Sequence, residues 1–195
     1  GYLAFPELPY YEGKDVTAET FVRIESADAQ SCIFRYLYGD DPTYTGTPIF
    51  ALYTSSATNG KSLACRIGLT DQEFAPKTLG SDNGTQWVTF NLDKSIYDGR
   101  WHHVAFVAKT EAIEPTEANG NATEQTSIRV YVDYRLAKYE SKDSYVKVGY
   151  HLPFKSMYSP RPRLSIGTGA TDAERWAGAF DEVRISRRAL EPTAF

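Results

Sequence analysis

Hydrophobic and polar positions along this chain alternate with a period of two in short segments, and no stretch sustains the 3.6-residue spacing of a helix. Nine segments read as β-strands: 20–25, 31–38, 48–54, 62–69, 87–92, 101–109, 127–139, 163–168 and 179–186. In segment 101–109, His102, Val104, Phe106 and Ala108 share one face, and Trp101, His103, Ala105 and Val107 share the other. Apolar residues on both faces mark a central strand. In segment 128–133, Ile128, Val130 and Val132 oppose Arg129, Tyr131 and Asp133, and the same parity turns Val183 and Ile185 inward and Glu182 and Arg184 outward. The expected core therefore includes Val104, Phe106, Val130, Val132, Ile166, Val183 and Ile185.

Between the strands stand Gly39-Asp40-Asp41-Pro42, Asn59-Gly60, Asp82-Asn83-Gly84 and Asp98-Gly99, whose residues tolerate left-handed backbone or fix φ and so make turns. Segment 110–126 carries Glu111, Glu114, Glu117 and Glu124 with Pro115 and Asn119-Gly120, and reads as an exposed hairpin insertion. Residues 187–195 read as one short helical turn limited by Pro192. The pattern predicts an all-β protein: a single domain over residues 1–195, built as a two-sheet antiparallel β-sandwich.

Composition narrows the function. At 195 residues with 42% hydrophobic content, including 14 Tyr, 10 Phe and 3 Trp, the chain can bury one large core. A net charge of −4 supplies no basic field for nucleic acid, and the absence of a run of 18 apolar residues argues against membrane insertion. The start at Gly1-Tyr2 reads as a piece excised from a longer chain. Two cysteines allow one disulfide. Cys32 alternates in step with Phe34 and Tyr36, and Cys65 with Leu63, Ile67 and Leu69, so both thiols are expected against apolar surroundings. If segment 48–54 runs between their strands they lie roughly 9–10 Å apart, beyond disulfide reach. Free buried thiols are the expectation, and a Cys32–Cys65 bridge the alternative.

Three segments, taken in order, resemble the laminin-G-like branch of the concanavalin A-like lectin/glucanase superfamily. They are Asp98-Gly99-Arg100-Trp101-His102-His103-Val104-Ala105, Val130-Tyr131-Val132-Asp133, and Leu164-Ser165-Ile166-Gly167 through Gly178-Ala179-Phe180-Asp181-Glu182-Val183-Arg184-Ile185, followed by Arg188-Ala189-Leu190. The family usually has Asp-Gly after the middle strand, whereas Tyr134 follows Asp133 here, so an altered turn is expected. The resemblance implies a jelly roll with ligands or calcium bound on one sheet face or in rim loops. It also implies a secreted or cell-surface location. Relatives include lectins, adhesion domains and glycoside hydrolases, so the site must decide the function.

A retaining glucanase needs two carboxylates on one strand face about 5–5.5 Å apart, a Glu-x-Asp spacing that occurs nowhere in this chain. Asp181-Glu182 are adjacent and point to opposite faces. His102 and His103 are neighbours on a strand and cannot chelate one ion, and no nucleophile elbow or Cys-x-x-Cys is present. The expectation is no catalysis. Structural calcium is the cofactor that the resemblance leaves open, with Asp40-Asp41, Asp82-Asn83 and Asp172 with Glu174 as available oxygen donors and no ligand set assigned. Segment 145–163, with Tyr150, Phe154, Tyr158, Lys155, Arg161 and Arg163, reads first as a loop packed over a sheet and second as a sugar surface.

The leading reading is a non-catalytic carbohydrate-recognition module that takes a polysaccharide or glycan, and the alternative is a protein-interaction, adhesion or spacer domain. The candidate surface is the outward face carrying Arg129, Tyr131, Glu182 and Arg184, with Trp176 as a platform at the rim. Tyr131 would stack on a sugar ring and Arg184 donate to hydroxyls or carboxylates. The competing arrangement is a cross-strand Arg–Glu pair under Tyr131, with Trp176 closing the end of the sandwich.

Overall fold

The computed structural model describes residues 3–5, 14–25, 30–38, 50–68, 85–116, 123–139, 146–148, 162–169 and 174–193. Their strands are β1 (Leu3–Phe5), β2 (Val16–Arg23), β3 (Cys32–Tyr38), β4 (Phe50–Thr54), β5 (Ser62–Gly68), β6 (Thr85–Asn91) and β7 (Trp101–Ala112). There follow β8 (Glu124–Val132), β9 (Arg135–Leu136), β10 (Lys138–Tyr139), β11 (Val146–Val148), β12 (Pro162–Ile166) and β13 (Ala179–Ser186). One sheet runs β1-β12-β3-β4-β5-β6-β10, and the second runs β11-β8-β7-β2-β13 with β9 beside β8. Every pairing within them is antiparallel, which gives the expected sandwich.

The inner faces meet through aromatic rings. Phe106 of β7 stacks on Phe50 of β4 at 4.6 Å and meets Phe34 of β3 edge-on at 6.5 Å, so the centre of each sheet is tied to the other. Val104, Phe106, Val130 and Ile166 are fully buried, while Val132, Val183 and Ile185 are partly buried against the same cluster.

Two irregularities change the parity read from sequence. A bulge between Cys32 and Phe34 turns Cys32 to the outer face with Ala51, Tyr53 and Ala64, while Ile33 and Phe34 both enter the core. Cys65 stays inside. The two thiols are free, buried, on opposite faces, and separated by β4. Burial pushes both thiols well above their usual range, so they stay protonated. The second bulge lies in β13, where Asp181 pairs with Phe21 and Arg184 with Glu19, leaving Glu182 as the extra residue at φ 48°.

The insertion at 110–126 is a continuation of the β7–β8 hairpin, paired as far as Ala112 and Glu124. The turn after β8 is a correction. Asp133 and Tyr134 sit at φ 50° and 64°, a two-residue mirror-image turn that keeps Val132 opposite Arg135, so the tight connection survives without glycine. The expected helical turn at 187–195 is also corrected over the described residues, where 187–193 form no helix. Their backbone bonds sideways: Thr17 Oγ1 donates to the Arg188 carbonyl at 2.8 Å and accepts from the Leu190 amide at 2.8 Å.

Candidate functional site

The outer face of the β11-β8-β7-β2-β13 sheet follows from alternation in β2, whose Val16, Ala18 and Val22 enter the core and leave Thr17, Glu19, Phe21 and Arg23 on the far side. Register sets their neighbours: Arg23 opposite Trp101, Phe21 between His103 and Asp181, Glu19 between Ala105 and Arg184, Thr17 opposite Val107. At the Thr17 end the face is closed. Residues 188–190 are bonded to Thr17, and Ala189 packs on a cluster of Ala105, Val107 and Tyr131.

In the middle lies a buried charged group. Glu19, 3% exposed, accepts from Arg184 Nε at 2.6 Å and bonds His103 Nε2 at 3.1 Å. A desolvated carboxylate is tolerated only with such partners. Tyr134, carried over by its tight turn, stacks on the His103 ring at 4.6 Å, and Phe21 meets that ring edge-on at 5.3 Å. The far end is open. Trp101 is 43% exposed, and the Arg23 guanidinium lies 5.1 Å from the centre of its ring.

The five residues expected here from sequence are brought together only in part. Arg184 and Glu182 are exposed and Arg129 is half-buried. Tyr131 does face outward, but at 7% exposure its ring is covered, and burial pushes its phenol pKa up. Trp176 is 4% exposed inside the main core, tilted against Phe180 at 5.1 Å, so it closes the end of the sandwich and offers no rim platform. A cross-strand Arg–Glu pair does form on this face, but between Arg184 and Glu19, a residue outside the expected set, and Tyr131 packs with Ala105, Val107 and Ala189 instead of over it. Alternation does not reveal Glu19, because the apolar pattern marks this strand only from Thr20 onward. It placed Trp101 on this face, and only the structure shows that it is open.

At the same end of the sandwich, on the core side, a cleft of about 360 Å³ lies between the β6–β7 connection and the β8–β9–β10 region. His102 forms part of its wall. Its Nε2 bonds Asp98 Oδ1 and its Nδ1 bonds Asp133 Oδ2, each at 2.9 Å. Burial lowers the imidazole pKa, but these two carboxylates outweigh it and hold the pKa above its usual value. With both nitrogens engaged, His102 is committed to structure and is a poor base or metal ligand. Asp133 also accepts the His103 amide at 3.1 Å, and Asp98 the Arg100 amide at 2.9 Å. Thus the Asp98-Gly99 turn, the start of β7 and the turn after β8 are locked together.

Of the oxygen donors considered for calcium, Asp40, Asp41, Asp82, Asn83 and Asp172 lie outside the described residues, as does most of segment 145–163, including Tyr150, Phe154, Lys155, Tyr158 and Arg161. Among the described residues no three His, Cys, Asp or Glu side chains converge to hold a metal ion. No helix among them is long and apolar enough to cross a membrane.

A family model described as the concanavalin A-like lectin/glucanases superfamily matches residues 1–194. A search of the curated proteins finds no significant match. Among solved structures, domains LG4-5 of the mouse laminin alpha1 chain superpose with a TM-score of 0.56 at 13% identity, covering 96% of this chain and 40% of theirs. A native heptameric SAP-like pentraxin from Limulus polyphemus gives 0.53 at 14% identity, over 97% of this chain and 70% of its own. The CBM40 of the Ruminococcus gnavus IT-sialidase, bound to α2,3 sialyllactose, gives 0.51 at 11% identity, over 96% and 93%. At these identities the likeness establishes the fold alone.

Proposed function

The chain belongs to the concanavalin A-like lectin/glucanases superfamily, and on that premise we propose that it is a non-catalytic carbohydrate-recognition module of a secreted or cell-surface protein. The observation that carries the reading is the open Trp101 ring with Arg23 over it, on the same sheet face as Arg184 and Glu182. A sugar ring stacks its apolar C–H face on an indole, and nearby guanidinium and carboxylate groups then fix its hydroxyls. Arg23 is the polar partner of that ring, Arg184 lies farther along the same face opposite Glu19, and Tyr131 packs with Ala105, Val107 and Ala189. The face is anchored from behind by the Glu19–His103–Arg184 group, which holds Arg184 in one orientation.

The carboxylates among the described residues support the non-catalytic reading. Glu19 is buried and tied to a cation and an imidazole, Asp98 and Asp133 are tied to His102, and no Glu-x-Asp spacing exists to give a nucleophile and an acid on one strand face. Binding of the purified chain to an array of immobilised glycans, with and without a calcium chelator, tests the reading. The expected result is selective retention of a set of glycans without turnover of them. Retention of none, together with capture of a protein partner, would favour an adhesion or spacer role, and sustained hydrolysis abolished by one carboxylate substitution would overturn the non-catalytic assignment.

A further inference from the structure

The cleft beside His102 carries a charge pattern that the outer-face reading does not use. Its size is in the range of small-ligand sites. Three carboxylates and three Lys or Arg side chains line it, yet the carboxylates are already engaged: Asp98 and Asp133 by His102, and Asp93 by Lys138 Nζ at 3.2 Å. Lys94 and Arg135 also line it, and among the described residues neither has an ion-pair or hydrogen-bond partner from its side chain. The cleft therefore presents two uncommitted cations, with Val132 and the 37% exposed Leu136 supplying apolar surface beside them.

We propose that this cleft binds a small ligand bearing a carboxylate, whose charged group meets Lys94 and Arg135 and whose body rests against Val132 and Leu136. Arg135 offers a planar fork suited to a carboxylate, and Lys94 adds a point charge from the opposite wall. His102 acts as a positioning residue, because by holding Asp98 and Asp133 it keeps their negative charge directed at the imidazole. Arg135 follows the Asp133-Tyr134 turn directly, so the geometry that orients Asp133 toward His102 also places the guanidinium at the cleft.

The glycan reading guides only the choice of probe, a sugar acid; the cleft does not depend on it. Sodium glucuronate titrated into the isotope-labelled chain, followed by the backbone amide resonances, should give saturable shifts confined to residues 91–98 and 132–138. Glucose, its neutral counterpart, should give none. The double variant Lys94→Ala/Arg135→Ala, shown to be folded by an unchanged thermal midpoint, should weaken glucuronate by roughly ten-fold or more, as expected for loss of charge-assisted hydrogen bonds. Trp101→Ala should leave the cleft response intact while removing array binding, so the two readings fail separately. No saturable shift at the cleft with glucuronate, equal shifts with glucose, equal shifts with sodium sulfate (an adventitious ion only), or an undiminished response in the double variant would each overturn the assignment.

Discussion

His102, which strand parity keeps from sharing an ion with His103, is held in the fold by two carboxylates. Clamped between Asp98 and Asp133, its imidazole takes up a proton more readily in the folded protein than at its ordinary pKa of 6.5. Its stabilisation is therefore complete below about pH 6.5 and fades as the pH rises through the folded value. Asp98 behaves oppositely: the hydrogen bond from His102 holds its pKa below the usual 3.8, so that contribution is present above this value and lost as the pH falls. Urea unfolding of the protein and of His102→Asn across this range should show the largest stability gap between the two limits, shrinking toward alkaline pH. A gap that widens there would contradict the clamp. Val132, half-buried against the core, sets a milder case: Val132→Ala should cost about 1–2 kcal/mol in the same assay, since both the transfer term and the cavity are partial. A loss within error would place it outside the core.

At the level of elements, the close approach at the start of β13 makes the sharpest prediction. A Cβ on Gly178 would lie 1.9 Å from the Arg23 carbonyl oxygen and 2.7 Å from Trp176 Nε1. Backbone at the end of β2 cannot yield cheaply, so Gly178→Ala should destabilise by at least about 2 kcal/mol and expose Trp176, seen as a red shift of its fluorescence. An unchanged midpoint and spectrum would refute that packing. Most elements were legible because alternation is a direct consequence of the pleat. The misses have local causes. Thr17 and Ala18 are too polar and too small to announce the first half of β2, and with it Glu19 stays hidden. Bulges at Ile33 and Glu182 shift parity by one residue, which no period-two pattern contains, and so Cys32 was assigned to the wrong face. The turn at Asp133-Tyr134 lacks the glycine that sequence rules look for, yet Tyr134 accepts left-handed backbone and gains a stacking partner in His103.

For the whole molecule, alternation gives the face on which a residue lies and says nothing of what later crosses that face. Tyr131 was correctly turned outward, but residues 188–190 pass over its cluster; Trp176 lies before the last strand as expected, but fills the end of the core. The open aromatic on this sheet is Trp101, and its placement beside Arg23 depends on the β2–β7 register, which is a property of the assembled sheet. The same assembly keeps Cys32 and Cys65 on opposite faces of one sheet, so alkylation of the unfolded, unreduced protein should label two thiols, and labelling of none would reveal a bridge. The central claim is that the Trp101 end of the outer face recognises sugar, and the most direct measurement is calorimetric affinity of the strongest array glycan for the protein and for Trp101→Ala. Loss of one stacking platform of about 1–3 kcal/mol should weaken binding by roughly five-fold or more with the fold intact; equal affinity of the two folded proteins would contradict it.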